Sequence, residues 1–296
     1  MWVPITLAAA TFQILRTSRQ HQLRAHLSTT AAGFVRYLYG APLALALSAV
    51  VFGVVGRDLP SVPWRFWPVV TMAGIAQILA TIALLRAFKM RDFAVGTVYA
   101  KAEVILVAMA STVGLGEPLR PLGWLGVGLV TLGVASLAAR GSLRRLLARA
   151  GDPAALMGLV AGGLFAVAAV GIRGASTSLG DAPAFDRALL TLTAMLVIQT
   201  LVNGAAFLVT DRAEITRTVQ AWRPALLVGV FSLGGSIGWA WAMTLENAAK
   251  VRTLGQVELL IAFAIAHATL GERHRRSEYV AAAVVLVGVA AVTALG

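Results

Sequence analysis

Long apolar stretches follow one another from end to end of this chain, and nearly every Lys and Arg falls in the short gaps between them. Such a pattern suits one solvent for most of the molecular surface, which is lipid. Ten stretches can be drawn, near residues 2–18, 31–55, 66–88, 93–115, 121–139, 154–173, 184–209, 223–245, 248–270 and 278–295. A helix needs about 17 to 25 residues to cross a bilayer, and these runs match that length. Strands do not suit them: an open sheet leaves unpaired backbone groups in lipid, and the roughly ten-residue alternation of a barrel strand is missing. The gaps are mostly under about a dozen residues, so consecutive helices are expected to lie antiparallel as neighbours.

Composition sets what else can fit. The 296 residues have a mean hydropathy of +0.81 and are only 13% charged, about half the charged share of a soluble domain. Ten helices and their turns use up the chain, so no attached soluble domain is expected. Net charge is +12, which in a soluble protein would suggest nucleic acid. Here the basic residues read as loop charges that orient helices and touch anionic headgroups, so membrane lipids are expected partners and nucleic acid is not. With no cysteine, disulfides, thiolate metal sites and cysteine nucleophiles are excluded. Met1 to Leu15 has no preceding basic region and is read as the first span rather than a removed signal.

An internal repeat carries the most information. Ala102-Glu103-Val104-Ile105 through Leu115-Gly116-Glu117 matches Val257-Glu258-Leu259-Leu260 through Leu270-Gly271-Glu272. Glu103 and Glu258 are 155 residues apart, as are Glu117 and Glu272, and Gly133-Val134-Ala135 keeps that offset to Gly288-Val289-Ala290. Elsewhere it drifts by a few residues: Phe34-x-Arg36 pairs with Phe185-x-Arg187, and Pro68 with Pro224. The expected organisation is a first five-helix repeat over 1–140, a basic inter-repeat loop over 141–152 and a second five-helix repeat over 153–296. Five is odd, so the second repeat enters the membrane from the opposite side. The fold class is therefore all-α integral membrane, ten transmembrane helices as two inverted five-helix repeats. Such halves can expose a site between them to one side and then the other, the basis of alternating access.

Paired five-helix repeats, each with a Leu-Gly-Glu closing its fourth helix and a late Gly-Val in its fifth, resemble the EamA branch of the drug/metabolite transporter superfamily. The resemblance covers the whole chain. It implies a basket of helices one to four and six to nine around a central cavity, supported by helices five and ten. It also implies export of small metabolites, amino acids and drugs among them, without naming the substrate. Many members have proline after the intramembrane glutamate of the fourth helix; this chain has Val104 and Leu259 instead, a departure that bears on any kink there.

Loops one–two, three–four, five–six, seven–eight and nine–ten hold 16 Lys and Arg, and the opposite side holds 7. The positive-inside rule then places both termini outside the cytoplasm, opposite to the habit of the family. A bacterial inner membrane is the expected location.

Glu103 and Glu258 lie about ten residues from the ends of their spans, or about 15 Å deep. A charged carboxylate there costs on the order of 2.5 kcal/mol or more, so each must face a cavity or a partner, or carry a proton. They are candidates for proton coupling and substrate binding; the structural alternative is a neutral hydrogen-bonding residue between helices. Lys101 is about 200° round a regular helix from Glu103 and needs an acceptor elsewhere. The repeat suggests Glu258, with cavity water as the alternative, and Gln256 is its mate in the second half. Two acids and one base give a formal charge of minus one, favouring a cation, a proton or a zwitterion. Arg36, about one and a half turns into its span, either snorkels to the interface or binds a carboxylate from the cavity.

Glu117 and Glu272 are read as structural helix ends that accept hydrogen bonds from the starts of spans five and ten. Gly234, Gly235 and Gly238 suggest close packing or a hinge. Trp239 and Trp241 point to different faces, so at most one lines a cavity. Trp64, Trp67 and Trp222 read as interfacial anchors, and Gln13, Gln77, Gln199 and Asn203 as interhelical bonding groups. His21, His26, His267 and His274 have no metal-ligand spacing. No cofactor, metal or hydrolytic motif stands out, which argues against an enzyme. Transport of a small-molecule substrate is thus the main expectation, with a non-transporting lipid-binding or assembly factor as the alternative. Oligomeric state is left open.

Overall fold

The computed structural model describes residues 1–23, 27–90, 93–138, 148, 150–261 and 276–296, with the backbone only at 21, 29, 89, 93–95, 97 and 138. The described chain is helical, with no strand among these residues. The helices are α1 (Trp2–Leu23), α2 (Thr29–Ser48), α3 (Phe66–Lys89), α4 (Phe93–Ala100), α5 (Glu103–Leu115), α6 (Pro121–Ala138), α7 (Pro153–Thr177), α8 (Ala184–Thr210), α9 (Arg212–Gln220), α10 (Trp222–Leu245), α11 (Ala248–Gly255) and α12 (Arg276–Leu295). Residues 257–261 are helical as well, and α2 runs on into a π-helical turn, Ala49–Val54.

Seven segments among the described residues are long and apolar enough to cross a membrane, and Pro121–Leu137 is a shorter apolar helix. α1 is not among the seven; its second half carries Gln13, Arg16, Thr17, Ser18 and Arg19. Residues 262–270 of the ninth expected span lie outside the described residues. The large apolar side chains that remain exposed on these helices, such as Val113, Leu125, Leu201 and Val209, form the surface expected against lipid. Trp64, Trp67 and Trp222 are exposed near span ends, as interfacial anchors would be. One element was not anticipated. α9 occupies the seven–eight loop, started by the Asp211 side chain, which accepts from the Ala213 N–H at 3.2 Å.

Two compact units form, each drawing elements from both sequence halves: Met1–Ile75 with Gly171–Leu245, and Ala76–Val170 with Glu246–Gly296. In the first unit α1 lies along α10. A Cβ on Gly238 would come within 2.8 Å of the Ala9 Cβ, so the glycines of α10 serve close packing. Gln199 on α8 donates to the Gly74 carbonyl of α3 at 3.2 Å. Asn203, expected to bond between helices, instead donates to the Gln199 carbonyl one turn back in its own helix. Asp186, buried in the first turn of α8, accepts from Arg57 at 2.8 Å.

In the second unit α6 and α12 pack closely along their length. A Cβ on Gly288 would lie 2.7 Å from the Gly126 carbonyl oxygen, a small-residue crossing typical of helix pairs in lipid. Ala83, Ala100 and Ala161 form a core with Leu84 and Phe165 around them. The glycines of α7 let its backbone approach the fourth span: Gly158 packs on the Gly96 carbonyl, and a Cβ at Gly162 would sit 2.8 Å from the Ala100 oxygen.

Candidate functional site

The fourth span is not one helix. α4 stops at Ala100 and α5 starts at Glu103, and the turn between them uses tight three-residue hydrogen bonds. Lys101 N–H donates to Val98 O at 3.0 Å and Val104 N–H to Lys101 O at 3.3 Å. The ninth span breaks in the same manner at Gln256. There Gln256 N–H donates to Thr253 O at 3.1 Å and Leu259 N–H to Gln256 O at 3.0 Å. All three positions in each set differ by the 155 residues of the sequence offset. The regular helix assumed for Lys101 and Glu103 is thus corrected, and the interruption forms with Val104 and Leu259 in place of proline. A three-residue bond leaves a carbonyl without its usual donor. At the second break the Gln256 side chain supplies one, its Nε2 donating to Arg252 O at 3.3 Å.

Each break places an acid at or near the start of a new helical segment. Glu103 is the first residue of α5, where the helix dipole favours an anion, and Glu258 is the second of 257–261. Their partners cross between the breaks. Lys101 Nζ lies 2.9 Å from Glu258 Oε1, and the Arg252 guanidinium pairs with the Glu103 carboxylate. Exposure of the four side chains runs from 7% to 20%, too little for surface ion pairs and more than zero. α11 is held in place at its start by Asn247, which accepts from the Ala249 N–H at 2.7 Å and donates from Nδ2 to the Glu117 carbonyl at 3.0 Å.

Arg252 was missed as a site residue. It counted as a loop charge, although it lies inside the span drawn at 248–270; an arginine five residues into an apolar run was the available signal. With it the cluster has two acids and two bases, so the formal charge is zero and the minus one inferred above is corrected. Three more of the seven basic residues counted on that side are engaged as well: Lys250 lies 3.7 Å from Glu246, Arg57 pairs with Asp186, and Arg173 donates to the Met243 carbonyl at 2.7 Å.

Trp239, Trp241 and Arg36 belong to the first unit. Trp239 is buried and donates from Nε1 to Gln13 Oε1 at 3.1 Å. Trp241 meets Phe185 edge-on, with centroids 5.2 Å apart. The half-buried Arg36 lies over the Tyr37 ring at 4.9 Å, and its Nε has no hydrogen-bond partner among the described residues. Glu117 follows α5 and is held through its backbone, its N–H donating to Ser111 O at 3.2 Å. Glu272, His26, His267 and His274 lie outside the described residues. No group of three or more acids and histidines able to hold a metal occurs among the described residues.

Comparison with known proteins bears on the chain as a whole. The model of the EamA-like transporter family matches residues 2–139 and again residues 153–294. A curated relative from Sinorhizobium sp, "Uncharacterized transporter in cobO 3'region", is 31% identical over 96 residues, covering 32% of this chain and 68% of the relative. A solved structure described as "Crystal structure of protein" is similar with a TM-score of 0.69 at 17% identity, over 99% of this chain and 96% of that one. At that identity the likeness concerns the fold alone.

Proposed function

The chain belongs to the EamA-like transporter family and is an integral, multi-pass membrane protein, and from that premise we propose that it is a secondary active transporter working by alternating access. Its ten spans form two inverted repeats, both termini face away from the cytoplasm, and the membrane is a bacterial inner membrane. The cargo is a small polar or amphipathic metabolite such as an amino acid, exported by proton coupling or exchange.

One observation carries this reading. Two helix breaks 155 residues apart each present an acid, and each acid pairs with a base from the other half. Interrupted spans with charged groups at the break are the usual form of a transporter binding site. A proton on Glu103 or Glu258 neutralises that acid and releases its cation, so either carboxylate can link proton movement to a change in the contact between the halves. Because the cluster is neutral when paired, a dipolar cargo can exchange both charges with it, which a cluster of net charge cannot offer as evenly.

Counterflow of labelled candidate metabolites in proteoliposomes, with and without an imposed pH gradient, tests the reading for wild type, Glu103→Gln and Glu258→Gln. Gradient-driven accumulation should be lost in at least one variant while the protein stays folded. Unchanged gradient dependence in both variants and in the double variant removes these acids as the coupling site. No counterflow of any candidate favours the non-transporting alternative.

A further inference from the structure

The transporter reading uses Arg252 only as the partner of Glu103; its donor geometry says more about the cargo, and the inference rests on that reading. Its side chain is 17% exposed and Glu103 is 7% exposed. Burying two charges to make one ion pair gains little, since apolar residues of like volume join helices as well or better. An arginine adds a planar fork of donors that matches two oxygens of a carboxylate or phosphate. The anion now on that fork, Glu103, also begins the 13-residue α5, so an oxyanion there meets the positive end of a helix as well as a guanidinium.

Gln256 adds a second, independent feature. It stands one turn after Arg252 and is 2% exposed; its Nε2 is engaged by the Arg252 carbonyl, while its Oε1 has no hydrogen-bond partner among the described residues. A buried amide oxygen without a donor is costly. A hydroxyl or N–H on a bound molecule would satisfy it.

We propose that Arg252 binds an oxyanion of the transported molecule, that Glu103 holds the place of that group in the present structure, and that Gln256 Oε1 accepts a hydrogen bond from the same molecule. The ligand class is a small organic acid or phosphate compound bearing a donor beside its acid group. Glu103 then acts as a tethered competitor: it keeps the buried guanidinium paired when the carrier is empty and yields it to the cargo.

Binding of lactate, acetate and inorganic phosphate to the purified full chain tests this, by calorimetry on wild type, Glu103→Gln, Arg252→Gln, Arg252→Lys and the double variant Glu103→Gln/Arg252→Gln. Removing the competitor should tighten lactate or phosphate at least about tenfold in Glu103→Gln. Arg252→Gln and the double variant, which leaves no buried charge unpaired, should not bind, and Arg252→Lys should fall between. Lactate should exceed acetate, and Gln256→Leu should erase that difference. Preference for lactate marks a carboxylate cargo and preference for phosphate a phosphorylated one. Equal affinity in Glu103→Gln and wild type, binding that survives in the double variant, or no binding of lactate and phosphate to Glu103→Gln overturns the proposal. Flux unchanged in Arg252→Gln would sink this site and leave the transporter standing, whereas the predicted binding pattern without any flux would do the reverse.

Discussion

Neutralising one side of the Lys101–Glu258 pair should destabilise the second unit, and neutralising both should restore it. The ammonium and carboxylate are 2.9 Å apart. At about 3 Å and an effective dielectric constant of about 20, unit charges attract by roughly 5 to 6 kcal/mol before desolvation is counted. Breaking a fully buried pair costs about 3 to 5 kcal/mol, and an exposed pair is worth under about 1. With side chains 20% and 15% exposed, the loss for Glu258→Gln or Lys101→Met should lie between, at about 2 to 3 kcal/mol. The double variant leaves neither charge stranded and should return to within about 1 kcal/mol of wild type. At roughly 2 to 4 °C per kcal/mol, each single variant should melt roughly 5 to 10 °C lower in detergent, followed by tryptophan fluorescence, with most of that recovered in the double. A double variant that melts lower by the sum of the singles would refute the pairing.

Gly288→Ala should cost about 1 to 3 kcal/mol, because its Cβ would meet the Gly126 oxygen and the Val130 nitrogen at 2.7 and 2.8 Å. Gly128→Ala has open space within 4 Å and should be neutral or gain up to about 1 kcal/mol; an equal loss at both positions, measured by thermal unfolding, contradicts the packing account. Asn247→Ala should cost about 1 to 2 kcal/mol through the lost cap of α11, and Asn247→Asp less, since it keeps the acceptor for Ala249 N–H and loses only the donor to Glu117 O; a larger loss for Asp disproves the capping role. A C-terminal fluorescent fusion that folds only in the cytoplasm should be dark, and a bright one reverses the orientation read from the loop charges.

Helical character was legible because lipid leaves the backbone no alternative to helices, so apolar runs and their charged gaps mark most of the elements directly. The 155-residue offset also points to Glu103 and Glu258, and to Glu258 as the acceptor for Lys101. What a periodic pattern cannot register is a local exchange of hydrogen bonds. The breaks at 101–102 and 256 arise without proline, where α4 and α5 meet the bare backbone of α7 at Gly158 and Gly162 and where the Gln256 amide covers a freed carbonyl. α9 escaped notice for a related reason: nine mostly polar residues have no span to announce them.

Charge pairing was decided by tertiary structure. The sequence placed Lys101 and both acids inside apolar runs, where a charge needs a partner. It could not assign Arg252, because five residues into a span an arginine has reach enough for either the interface or the interior. Only the packing of α11 against α5 settled that, by setting the guanidinium on the first carboxylate of α5 and so changing the local charge from minus one to zero. Apolar runs and the repeat therefore marked three of the four charges that need a partner, and the fold supplied the fourth and chose the pairing, because a buried charge is satisfied by whatever the tertiary contacts bring within about 3 Å.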